Sequence, residues 1–164
     1  MSNVWLKNFC GLHCSDYELL TIPRPKLEFG IHVTFKTVQV GTLAGSIIGP
    51  IFHILRYNAS NSNNRTSLGD AAVQGGLYGA SLGLIAGPLL SIGYYNTNLS
   101  KIANYDQCYR LRYHTPQLTM NRMSLLGALI GGSLAGAPGF VVGTDVGVLC
   151  GLLLNGVQSM RLEI

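Results

Sequence analysis

Residues 68–94 read LGDAAVQGGLYGASLGLIAGPLLSIGY, and this stretch decides the fold. Its only charge is Asp70, at one end. At about 1.5 Å per helical residue it is long enough to cross ~30 Å of hydrocarbon. Gly75, Gly79, Gly83 and Gly87 recur every fourth residue, with Ala71 one step before them. Residues four apart share one face of a helix. Glycine at each step turns that face into a shallow groove, so a second helix backbone can approach closely. Such van der Waals packing replaces the hydrophobic drive that lipid cannot supply. A helical glycine costs ~1 kcal/mol against alanine in water, so a register of them points to close packing.

The same pattern recurs on either side. Residues 33–55 carry only Lys36, near one end, and contain Gly41, Gly45 and Gly49. Residues 123–160 carry only Asp145. That run is too long for one crossing, and Pro138-Gly139 punctuates it. It reads as two helices, 117–137 with Gly127 and Gly131, and 139–160 with Gly139, Gly143, Gly147 and Gly151. Pro50 and Pro88 follow matching glycines, and each should bend its helix by removing a hydrogen bond. The chain thus reads as an all-α membrane protein. Four transmembrane helices, at about 33–55, 68–94, 117–137 and 139–160, pack through GxxxG-type ladders. Residues 1–30 form a soluble N-terminal segment, 31–160 the membrane domain and 161–164 a short tail.

Composition agrees. Of 164 residues, 48% are apolar, 21 are glycine and only 11% are charged, with a net charge of +4. A soluble domain carries roughly 25% charged residues. The balance excludes a disordered chain, a nucleic-acid binder and an ordinary soluble enzyme. A soluble four-helix bundle would need a charged face on each helix, and these helices have none. The first 30 residues lack the apolar core of a secretory signal. Their acids and few arginines also argue against a cleaved mitochondrial presequence, so any mitochondrial targeting is expected to be internal.

An ionisable residue inside a span is a functional candidate by default. Lys36 can snorkel to the surface, and Asp70 suits a helix N-terminus. Asp145 is the buried-charge candidate, with Arg122 or Lys36 as its expected partner in the chain and a charged group on another subunit as the alternative. No HExxH, GxSxG, GxxxxGK[ST] or dinucleotide fingerprint occurs, so no catalytic, cofactor or metal residue is assigned. His53 reads as an interface residue. Cys150 reads as a packed residue inside the last helix.

Four short glycine-ladder helices, a polar loop after the second and a tight turn between the last two resemble the mitochondrial inner-membrane translocase channel family. The resemblance covers residues ~30–160. That family includes translocase subunits and a four-helix accessory subunit of respiratory complex I, the NADH:ubiquinone oxidoreductase. Translocase subunits usually begin with a Pro/Trp-rich acidic segment, and here only Trp5 stands near the start. The accessory subunit is therefore the first reading. The resemblance implies termini on the intermembrane-space side, although the excess of Lys and Arg on the terminal side argues the reverse by the positive-inside rule. On an oxidising side, a disulfide would join Cys10 to Cys14, or one of them to Cys108.

These readings predict a non-catalytic complex I subunit in the inner membrane. Its partners are other membrane-arm subunits and inner-membrane lipid, and no nucleic acid; no cofactor is expected, and a bound phospholipid is compatible with the reading but not readable from the sequence. A translocase subunit is the alternative, and a small transporter is a third class. Trp5, Phe9, Tyr17, Tyr105, Tyr109 and Tyr113 are expected to anchor the soluble-side segments to the membrane interface or to a partner.

Overall fold

A computed structural model describes residues 4–10, 12, 14, 15, 18, 22, 24–59, 67–97 and 101–162. Among the described residues five helices are bounded, in order: α1 Val4–Phe9, α2 Pro25–Ala59, α3 Leu68–Thr97, α4 Lys101–Tyr113 and α5 Thr115–Leu162. Three contain segments long and apolar enough to cross a membrane: Pro25–Arg56, Leu68–Asn96 and Thr115–Gln158. The side chains of Trp5 and Tyr17, the loop 60–66 and residues 163–164 lie outside the described residues.

The boundaries follow from local chemistry. α2 starts at Pro25, eight residues before the apolar run at Val33. Proline is favoured at the first helical position because its missing N–H would be unsatisfied there anyway. The first long helix therefore begins within the N-terminal segment, and residues 25–32 are part of it. α3 is capped by Ser67, whose hydroxyl accepts from the amides of Gly69 (3.1 Å) and Asp70 (3.4 Å). Pro50 and Pro88 lie inside their helices, which continue through them.

The polar stretch between the second and third spans is not a loop. Residues 101–113 form α4. KIANYDQCYRLRY holds neither glycine nor proline, and Asp106 and Arg110 form an i,i+4 ion pair at 2.9 Å.

The long run α5 breaks at Ala135 (φ −133°, ψ 16°) and Gly136 (φ 63°, ψ −139°). Only glycine takes the second of these conformations without strain. The break therefore falls just before the expected Pro138-Gly139, and Pro138 sits in the first turn of the second arm, where proline is tolerated. We call the arms α5a (115–134) and α5b (137–162).

The helices pair as two antiparallel hairpins. Along α2 and α3, a Cβ built on Gly41 would strike the Gly79 carbonyl, one on Gly45 the Gly75 carbonyl, and one on Gly49 the Ala71 carbonyl. Gly83 and Gly87 likewise lie against the backbone of Thr37 and Thr34. Each step of four along one helix meets a step of four back along the other. Thr37 Oγ1 adds a hydrogen bond to Gly83 O at 2.8 Å. The arms of α5 repeat the scheme. Gly127 faces Gly143, Gly131 faces Gly139, Gly147 faces Met123 and Ser124, and Gly151 faces Met120. The outward surface is apolar, with Phe52, Leu82, Leu129, Leu134 and Leu153 among its exposed side chains. A surface of this kind suits lipid or partner helices and not water.

Candidate functional site

Where the hairpins meet, the joint is largely polar. On α2, residues 28, 32, 39, 42 and 46 fall on one side at helical spacing: Glu28, His32, Gln39, Thr42 and Ser46. The first four are buried. α5 contributes the buried Asn121, Ser124 and Thr144, together with Val141 and Val148. Gln39 Nε2 donates to Asn121 Oδ1 at 3.2 Å and to Ser124 Oγ at 2.5 Å. Gly76 leaves room at the joint, since a Cβ there would crowd both Val141 and Ser46. Interhelical hydrogen bonds of this type each contribute roughly 0.6–2 kcal/mol in membranes.

Asp145 lies on α5b beside Ser46. It does not pair with Arg122, contrary to the sequence expectation. Arg122 instead donates to the backbone carbonyls of Phe9 (2.8 Å) and Asn8 (2.5 Å). Nor does Asp145 form a salt bridge with Lys36. The two ion pairs among the described residues are Arg110–Asp106 and Arg112–Glu28. The Asp145 Oδ1 atom is buried with no hydrogen-bond partner among the described residues.

At one end of the joint stands a clamp that sequence reading missed. Arg112 of α4 grips Glu28 of α2 in a fork, Nε to Oε1 at 2.6 Å and Nη2 to Oε2 at 2.7 Å. Both side chains are almost fully buried. Arg112 Nη1 also donates to Glu18 O at 3.3 Å, and the Arg112 carbonyl accepts from Asn8 Nδ2 at 3.1 Å. One arginine thus ties α2, α4 and the N-terminal segment together. The readable signal was Glu28 in phase with His32, Gln39 and Thr42, on a helical face that is otherwise apolar or small.

The aromatic residues divide. Phe9 is buried and stacks on Phe35 with centroids 5.4 Å apart, so it holds α1 to the bundle and is not an outward anchor. Tyr105 and Tyr113 remain exposed, and Tyr113 stacks on Tyr109 at 4.7 Å. Phe29, Tyr94 and Tyr95 form a further cluster near the start of α2.

Cys10, Cys14, Cys108 and Cys150 are free thiols, so the expected bridge is not formed. The Cys108 side chain is fully buried, and its thiol donates to Pro25 O at 3.0 Å. A bridge to it would require α4 to lift off α2. Burial pushes this thiol from 9.0 up to about 11, with the Glu28 carboxylate adding to the rise and the Phe29 amide and Arg112 opposing it. The thiolate is the reactive species. Maleimide at pH 8 is therefore expected to label exposed Cys10 quickly and Cys108 only after denaturation. Fast labelling of both in the folded protein would contradict this burial. Below pH 9 the thiol is protonated whether the chain is folded or not. Between about pH 9 and 11 only the unfolded chain ionises it, so this group's contribution to stability falls as pH rises through that window.

Long apolar helices, an apolar outer face and a polar interior joint define the class: an all-helical membrane protein. Within that class, the chain belongs to the family of proteins of unknown function designated DUF1757, whose model matches residues 5–154. No curated protein matches it.

Proposed function

We propose that this chain is a non-catalytic accessory subunit of mitochondrial respiratory complex I that stabilises the membrane arm. It crosses the inner membrane four times, as α2, α3, α5a and α5b, zipped into two hairpins by the glycine ladders. Both termini then lie on one side, taken from the family resemblance as the intermembrane space. The observation that carries this reading is the pairing of two glycine-lined hairpins whose outward faces are apolar. Two closely paired hairpins with an apolar exterior suit packing between larger subunits. Its partners are the neighbouring membrane-arm subunits and inner-membrane lipid, and it needs no cofactor for the role.

One observation favours a second reading. The polar joint of Gln39, Thr42, Asn121, Ser124 and Thr144 suits a translocase subunit, in which parted hairpins would offer a hydrophilic face to a polypeptide.

Removing the protein separates the two. For an accessory subunit, complex I abundance and activity fall in proportion, and turnover per assembled complex stays unchanged. Native-gel fractionation with mass spectrometry should place the chain with complex I. Normal complex I with impaired protein import would overturn this reading in favour of the translocase. Normal complex I amount with lost turnover would overturn the non-catalytic role, and Asp145 would be the first residue to replace.

A further inference from the structure

The outer side of the first hairpin carries a groove of about 650 Å³. Val40, Ile48 and Phe52 wall it on α2, Tyr78 and Leu82 wall it on α3, and ladder glycines form its floor. Lys36 lies in its lining at the end nearer the Phe29, Tyr94 and Tyr95 cluster. Its side chain is exposed, and no carboxylate among the described residues pairs with it. We infer that this groove binds an anionic phospholipid, with the phosphate on the Lys36 ammonium and one acyl chain laid along the glycine floor.

Three features choose this occupant. The first is charge. A lysine on a lipid-facing helix is costly unless its ammonium reaches the interface or an anion, and its flexible stem can point toward the aromatic cluster. The second is length. From Lys36 to Phe52 the groove follows α2 for about 24 Å at 1.5 Å per residue, the reach of one long extended acyl chain. The third is width. α2 and α3 touch backbone to backbone at Gly41–Gly79 and Gly45–Gly75. The cleft left between two cylinders so close together is a narrow V. Exposed Phe52 and Tyr78 stand up as its rims, so a thin chain fits where a helix 10–12 Å across could only rest on top. The net negative charge of the lipid matters because a zwitterionic headgroup brings a cation of its own beside the lysine. The assignment rests on the membrane reading and not on which complex the chain joins.

The test uses the full-length protein, purified in detergent and offered equal amounts of phosphatidylglycerol and phosphatidylcholine, with retained lipid counted by native mass spectrometry. One lysine near a headgroup favours the anionic lipid by about fivefold. Lys36→Gln should erase that preference while leaving phosphatidylcholine retention unchanged. Ala44→Phe, which fills the groove lining, should lower retention of both lipids, whereas Leu129→Ala on the other hairpin should change neither. Thermal melting of each variant confirms that it is folded. Equal retention of the two lipids by the wild type, or an intact preference in Lys36→Gln, overturns the assignment. So does a crosslink in native membranes from Lys36 to an acidic residue of another protein, which would make a partner helix the occupant. Extraction of the wild-type protein by alkaline carbonate would instead refute the membrane reading itself.

Discussion

Replacing Gly143 by leucine should separate the arms of the second hairpin and leave little assembled protein. A Cβ at this position would stand 2.7 Å from the Gly127 carbonyl carbon and 3.3 Å from Gly131 Cα. Both obstacles are backbone, so no side chain can swing aside to relieve the overlap. Overpacking of this kind costs about 3 kcal/mol or more, and the arms would have to part along much of their length. Gly79→Leu should do the same to the first hairpin, where the obstacle is the Gly41 carbonyl. Gly156→Ala is the control. A Cβ there meets nothing within 4 Å, and alanine is the better helix former by ~1 kcal/mol in water. Melting temperature in detergent and the steady-state amount in membranes measure all three. Near wild-type values for Gly143→Leu and Gly79→Leu would show that the close backbone contacts do not hold the hairpins together.

Arg112→Ala should be nearly as damaging, by a different route. The substitution removes a guanidinium from a bidentate pair and strands the Glu28 carboxylate in a buried site. Breaking one side of a buried pair costs about 3–5 kcal/mol. It also releases Glu18 O, which Arg112 holds from the N-terminal segment. The expected result is a destabilised protein whose residues before Pro25 become open to protease. The double variant Glu28→Met, Arg112→Leu separates charge stranding from lost packing. Apolar replacement of both partners can be close to neutral, so the double variant should recover much of the stability that the single one loses. A double variant as unstable as Arg112→Ala would mean that the geometry of the fork, and not the buried charge, is what matters.

Each sequence-derived feature was readable as far as its cause was local. Freedom from charge over some twenty residues is a property of one segment, and it marks the apolar stretches within α2, α3 and α5. Glycine at every fourth position is also local, because helical geometry alone places those residues on one face. Pro138-Gly139 announced an interruption in the last run but not its position. Gly136 adopts the positive φ that turns the chain, while Pro138 fits into the helix that follows. α4 escaped notice because its charges and tyrosines resemble those of a solvated loop. Its helical state comes from the absence of breakers and from packing on α2.

The remainder depended on separations that only the tertiary structure closes. Glu28 and Arg112 each stand in a polar-looking stretch, and nothing near either one names the other across 84 residues. Arg122 satisfies N-terminal carbonyls and not Asp145, because α1 is packed where its guanidinium points. Cys108 is sealed under Pro25 and so kept from the exposed Cys10, although both sequence segments are polar. Local periodicity determined which segments are helices and which face of each carries the glycines. Which polar groups meet was decided by how the hairpins and the N-terminal segment pack, since a buried donor or charge is satisfied only by a group that the fold brings within hydrogen-bond reach.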